Sequence, residues 1–70
     1  MKAIDLILLC CDEEQYISIQ SDDDCEELTD GWSSSIQTDY PESMTPTKIK
    51  WFESEVLGWL NDGNSFIIFI

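Results

Sequence analysis

Carboxylates dominate the side chains in this sequence that could do chemistry. No Lys or Arg occurs between residues 3 and 47, so the negative charge is segregated into that part of the chain. Its densest part holds nine acidic residues: Asp12, Glu13, Glu14, Asp22, Asp23, Asp24, Glu26, Glu27 and Asp30. Such a cluster can form charge-assisted hydrogen bonds with Lys and Arg, the side chains that proteins otherwise use to bind phosphate.

The net charge of the whole chain also favours a positively charged partner. Fifteen Asp and Glu stand against three Lys, for a net charge of -12, well above the magnitude of about 2–8 that suits solubility in a small domain. Self-repulsion of this size destabilises a compact state, so we expect the charge to serve a function outside folding. Its sign argues against direct binding to nucleic acid or an anionic membrane, and favours a basic protein surface. A general solubility or high-salt adaptation is the alternative, although it would not require one-sided charge.

Signatures of catalysis and of metal binding are missing from the sequence. There is no His, no Gly-rich phosphate loop, no Gly-x-Ser-x-Gly and no Cys-x-x-Cys. A calcium loop beginning at Asp22 fails, because Glu27 and Ser33 stand where Gly and Glu are required. Paired carboxylates could hydrolyse glycosides, but so acidic a chain contains such pairs by chance. We predict no enzymatic activity, no catalytic residues, no metal and no cofactor.

Cysteine usage and hydropathy bear on the compartment. Three Cys make an odd count, and Cys10 and Cys11 are adjacent, which disfavours a disulfide framework and favours a reducing cytoplasm. We expect these two thiols to pack in the core, and zinc has too few ligands. The apolar stretch Ile4–Cys11 is too short to cross a bilayer, and no secretory leader is evident.

The N-terminal part of the chain favours a sheet. With 70 residues, we predict one domain spanning residues 1–70. The apolar run Ala3–Cys11 predicts a strand buried on both faces. Residues 15–20 alternate, with Ile17 and Ile19 facing the core, and predict the second strand of a hairpin with an acidic turn.

The middle of the chain is predicted as an acidic segment followed by a third strand. Residues 21–31 are too charged to be core, and Cys25 and Leu28 could anchor one helical turn there. A second alternation over Trp32–Tyr40 predicts a strand near an edge of the sheet.

One helix and a last strand complete the predicted order. Thr45 is a candidate N-cap and Pro46 a first helical residue, and Asn61–Asn64 supply a stop. The apolar stripe of this helix is formed by Ile49, Phe52, Val56, Trp59 and Leu60. Ser65–Ile70 predict a buried strand whose direction the sequence leaves open. The fold class is α+β, with a three- or four-stranded, mostly antiparallel sheet and one helix on one face.

Aromatic residues suggest a second class of function. Trp51 lies off the helical stripe, and Trp32 follows the acidic segment, so either could anchor an interface with an acidic rim. An acidic adaptor, or an immunity protein that plugs a toxic nuclease, would bind a protein partner in this way.

In size, charge and lack of catalytic signatures, the chain looks like the small acidic inhibitors encoded by bacteriophages, which include DNA-mimicking anti-restriction and anti-CRISPR proteins. The cluster from Asp12 to Asp30 carries this resemblance. It implies an inhibitor that blocks the nucleic-acid channel of a bacterial defence complex, in the host cytoplasm. These families share no fold or residue signature, so no site residues carry over. The predicted binding residues are therefore the nine acids of the cluster and Trp32, and the sequence leaves the oligomeric state open.

Overall fold

A computed structural model describes residues 1–10, 13–63 and 65–70 of the chain. Four strands and three short helices follow one another as α1 (Ala3–Cys10), β1 (Tyr16–Gln20), β2 (Glu27–Trp32), α2 (Ser33–Asp39), α3 (Pro46–Phe52), β3 (Gly58–Asp62) and β4 (Ser65–Phe69). The predicted α+β class is confirmed. The prediction of a single helix is wrong, because three short helices share that role.

The four strands form one mixed sheet in the order β2-β1-β4-β3. The outer pairs, β1 with β2 and β3 with β4, are antiparallel, whereas the central strands β1 and β4 run parallel. Ile17 lies opposite Phe66, and Ile19 lies opposite Ile68. The sheet is thus mostly antiparallel as predicted, and the open question about the last strand is answered by its parallel pairing with β1.

All three helices cover the same face of this sheet. Ile17 and Ile19 from β1, together with Phe66 and Ile68 from β4, belong to one buried cluster. The helices complete that cluster with Ala3, Ile4, Leu6 and Ile7 of α1, Ile36 of α2 and Phe52 of α3. Because side chains alternate along a strand, the opposite face carries the remaining strand positions and has no helix packed on it.

The N-terminal apolar run forms a helix, so the predicted strand over residues 3–11 is wrong in its described part. Within α1, Ile4 and Ile7 are buried, whereas Asp5, Leu8 and Leu9 are exposed, which is a helical and not an alternating pattern. A short apolar run cannot be assigned by its periodicity alone. The side chain of Cys10 and all of Cys11 lie outside the described residues, so the core packing of these two thiols stays a prediction.

The structures predicted for the acidic segment and for the residues after it are both wrong. Glu27–Trp32 form strand β2, whereas Ser33–Asp39 form helix α2 in place of the predicted strand. The predicted helical turn is also wrong, because Cys25 is exposed and only Leu28 packs partly against the core. The real hairpin joins β1 to β2.

Helix α3 begins where predicted and ends early. The Thr45 side chain accepts a hydrogen bond from the Lys48 N–H, and Pro46 is the first helical residue. The chain leaves the helix after Phe52, because the Val56 N–H donates to the Met1 carbonyl and residues 58–62 pair with β4. Gly63, at φ 64°, lies in the turn of the β3–β4 hairpin and does not cap a helix.

The helical register of α1 can be tested with neighbouring residues. Ile7→Ala should lower the free energy of unfolding by about 2–5 kcal/mol, because Ile7 is fully buried. Leu8→Ala should change it by less than about 0.5–1 kcal/mol, because Leu8 is 57% exposed. Urea unfolding followed by circular dichroism measures both values. Large losses in both variants would instead indicate a strand buried on both faces.

Candidate functional site: an acidic edge

Six of the nine clustered carboxylates lie on the β1–β2 hairpin. Four occupy its turn and two lie on β2, which is an edge strand of the sheet. We call this surface the acidic edge, and its members are Asp22, Asp23, Asp24, Glu26, Glu27 and Asp30. All six side chains are exposed.

The turn of the acidic edge has a defined shape. The Ser21 N–H donates to the Glu26 carbonyl at 2.9 Å, and the Cys25 N–H donates to the Ser21 carbonyl at 2.8 Å. The Asp24 carboxylate accepts from the Glu26 N–H at 3.0 Å, a local bond typical of Asp in turns. The Asp22 N–H donates to the carbonyl of Ile70 at 3.0 Å, which ties the turn to the end of β4. The carboxylates therefore project from an ordered backbone.

The two carboxylates on β2 are held by neighbours on β1. The Ser18 hydroxyl donates to Glu27 Oε1 at 2.9 Å. A hydrogen bond with the Asp30 carboxylate raises the pKa of the Tyr16 phenol, helped by partial desolvation. Ser18 was predicted to face outward, and it lies on the outer face of the sheet, yet these neighbours leave it only 7% exposed.

Glu14 lies at the other end of the hairpin and has a structural role. The Glu14 carboxylate accepts a hydrogen bond from the Ser33 hydroxyl at 3.0 Å and another from the Ser34 N–H at 2.9 Å. The Ser34 hydroxyl donates a third hydrogen bond to the same carboxylate. These bonds, those from Ser34 above all, lower the pKa of Glu14. Glu14 thus caps the first turn of α2 from a position twenty residues earlier in the chain. The five-residue strand β1 separates Glu14 from the acidic turn by about 17 Å. Glu13 is exposed beside it, and Asp12 lies outside the described residues.

Trp32 ends β2 beside the acidic edge. Its side chain is 50% exposed and meets Tyr16 edge-to-face, with ring centroids 5.3 Å apart. Trp51 is less accessible and packs against the core. Sequence reasoning missed Trp59, which it placed on a helical stripe, although Trp59 is 59% exposed on the edge strand β3. The Asp-Gly hairpin signal at residues 62–63 could have revealed that strand.

No carboxylate of the acidic edge forms an ion pair in the described part of the chain. The one ion pair there joins the N-terminal amine of Met1 to Glu55. No Nζ atom of the three Lys residues lies within 4 Å of a described carboxylate oxygen. The six carboxylates of the edge are therefore available to cations from outside the molecule.

Within residues 1–10, 13–63 and 65–70, no group of three His, Cys, Asp or Glu side chains is arranged to hold a metal ion. None of the described helices is long and apolar enough to cross a membrane.

Comparison with protein-family models, curated proteins and solved structures finds no match to this chain.

The structural role of Glu14 predicts a pH-dependent effect. Glu14→Gln should lower the melting temperature at neutral pH, because a neutral amide is a weaker acceptor for the Ser33 and Ser34 donors. A lowered folded-state pKa stabilises the protein above the ordinary carboxyl value, and that stabilisation is lost as pH falls through the folded pKa. The gap in melting temperature between the variant and the wild type should therefore close on acidification.

Glu13→Gln is the matched control, since it removes the same charge from an exposed neighbour. Thermal unfolding from pH 7 down to pH 3 measures both gaps. Equal gaps for the two variants at every pH would contradict the capping role of Glu14.

Proposed function

We propose that this protein is an acidic inhibitor that mimics nucleic acid and blocks the basic nucleic-acid-binding surface of a bacterial defence complex, such as a CRISPR–Cas effector, in the host bacterial cytoplasm. One observation carries the proposal: the acidic edge presents six exposed carboxylates, and none of them forms an ion pair in the described part of the chain. The non-enzymatic character and the absence of a cofactor remain predictions from the sequence.

The density of charge on the acidic edge supports this proposal. Six carboxylates occur within nine residues, 22–30, including the consecutive runs 22–24 and 26–27, and consecutive Cα atoms lie about 3.8 Å apart. A single strand of duplex DNA carries one charge per about 3.4 Å of axis. The two spacings are of the same order, so a surface whose Lys and Arg bind phosphates can pair with these carboxylates.

The ordered turn also supports it. A flexible acidic loop would lose conformational freedom on binding, and that loss weakens affinity. The hydrogen bonds at Ser21, Cys25 and Glu26 fix the turn before any partner arrives. Long-range attraction between opposite charges further accelerates association, and added salt weakens it.

Displacement of labelled target DNA from purified CRISPR–Cas effectors tests the function directly. Fluorescence anisotropy should fall as the protein is added, and unlabelled duplex DNA should compete with the protein for the same effector. A protein that binds the effector while the DNA stays bound would contradict nucleic-acid mimicry.

Charge reversal at three positions tests the acidic edge. Asp22, Asp23 and Glu26 have no side-chain hydrogen bonds in the described part of the chain, so changing all three to Lys should leave the fold intact. Inhibition should weaken by about 100-fold or more, because three attractive contacts become repulsive. The slope of log affinity against log salt should also become shallower.

The control carries the same charge change elsewhere: Asp5, Glu42 and Asp62, all exposed, are changed to Lys. This variant should lose less than about 10-fold, since only the long-range field is altered. Equal losses in the two triple variants would show that net charge, and not the acidic edge, governs binding.

A second candidate is the adaptor or nuclease-immunity protein that docks through aromatic residues. The exposure of Trp32 and Trp59 supports it, whereas the packed Trp51 does not. In that case Trp59→Ala should weaken partner binding by about 30-fold, the loss expected of a hot-spot residue. Leu9→Ala, at an equally exposed residue of α1, should have little effect. Calorimetry with the captured partner at low and high salt separates the candidates, because aromatic docking depends little on salt.

A further inference from the structure

A small pocket opens beside the acidic edge. Its volume is about 100 Å³, and it lies between β2, α2 and the start of α3. Its lining includes the apolar residues Ile36, Met44 and Phe52, residues 29–31 of β2, and the charged residues Asp39 and Lys48. Small-molecule sites usually measure about 300–1,000 Å³. This pocket therefore suits a single side chain.

The electrostatic surroundings of the pocket favour a cation. Asp39 and Lys48 give the pocket itself no net side-chain charge, because Asp30 lies opposite Ser18 and its carboxylate is on the other face of the sheet, beside Tyr16. The pocket is nevertheless next to the acidic edge, in a chain whose net charge is -12. This negative field attracts a cation and repels an anion.

Asp39 has no evident structural role. It ends α2 in a last turn that contains no basic residue, where the helix dipole disfavours a carboxylate. Its side chain has no ion pair in residues 13–63. The carboxylate is therefore free to bind a donor from outside.

We propose that this pocket receives one arginine side chain of the basic partner, an inference that rests on the proposed function. The aliphatic part of the arginine would lie on Ile36, Met44 and Phe52, as long cationic side chains do on apolar surfaces. The guanidinium would donate to Asp39. Backbone groups of an antiparallel strand point alternately to its two sides, and the register places the Asp30 carbonyl on the side of β2 away from β1. Because β2 pairs only with β1, this carbonyl offers a further acceptor. Arginine fits better than lysine, because its planar fork carries five donors.

N-acetyl-arginine amide is a probe that needs no knowledge of the partner. Added to the full ¹⁵N-labelled chain, it should shift the amide resonances of Thr29, Gly31, Ser35 and Ser43, which line the pocket, and saturate in the range of about 10 mM. The isosteric neutral probe N-acetyl-citrulline amide should not shift them. Equal shifts with the two probes would overturn the proposal.

Two pairs of variants localise the binding. Asp39→Asn should weaken the binding of the probe by about 5-fold, whereas Glu42→Gln, with the same charge change outside the pocket, should leave it nearly unchanged. Lys48→Met should strengthen binding by removing a competing ammonium group. Lys50→Met removes the same charge from a residue that does not line the pocket, and should have little effect.

The outcomes of these experiments distinguish a failure of the pocket proposal from a failure of the proposed function. Shifts confined to the acidic turn at residues 22–26 would overturn the pocket, while the test of the acidic edge by triple charge reversal would be unaffected. Pocket shifts with arginine and with N-acetyl-lysine amide at equal affinity would overturn the choice of arginine. If the pocket binds the probe and no effector is inhibited, the proposed function fails and the cation pocket stands.

Discussion

The parallel pairing of β1 with β4 is the interaction on which the rest of the structure depends. Five residues of each strand lie in register, and their inward side chains form the centre of the core with the helices. Parallel neighbours cannot be joined by a tight turn, so the chain between them contains β2, α2, α3 and β3. Because β2 adds to one side and β3 to the other, this pairing places two chemically different edges at opposite sides of the sheet.

Electrostatics and edge protection act together on β2. An edge strand exposes backbone groups that can pair with other chains, and charged side chains discourage that pairing. On β2 and its turn the charges are all negative, and none of them forms an ion pair in the described part of the chain. A strand that repels other acidic chains in this way still attracts a cationic surface. The opposite edge, β3, exposes Trp59 and Leu60, which makes the two edges of the sheet chemically different.

Local signals were sufficient for some elements and insufficient for others. Alternation predicted β1, the Thr45-Pro46 pair predicted the start of α3, and the apolar run predicted β4. The strand predicted for Trp32–Tyr40 was wrong, because α2 begins where Glu14 accepts bonds from Ser33 and Ser34, a contact that no local pattern reveals. The helix predicted to reach Leu60 was wrong for a similar reason, because pairing with β4 draws residues 58–62 into the sheet.

The sequence by itself determined the α+β class, the identity of the buried strands β1 and β4, and the crowding of acidic residues between positions 12 and 30, because these depend on composition and short-range pattern. Only the tertiary structure decided how those acids are used. It gathers six of them on one hairpin and assigns Glu14 to cap a helix. It also places Asp39, outside that cluster, in a pocket with Lys48. The reason is physical: hydrogen bonds and packing between residues distant in the chain set where each carboxylate points, and local propensity carries no information about them.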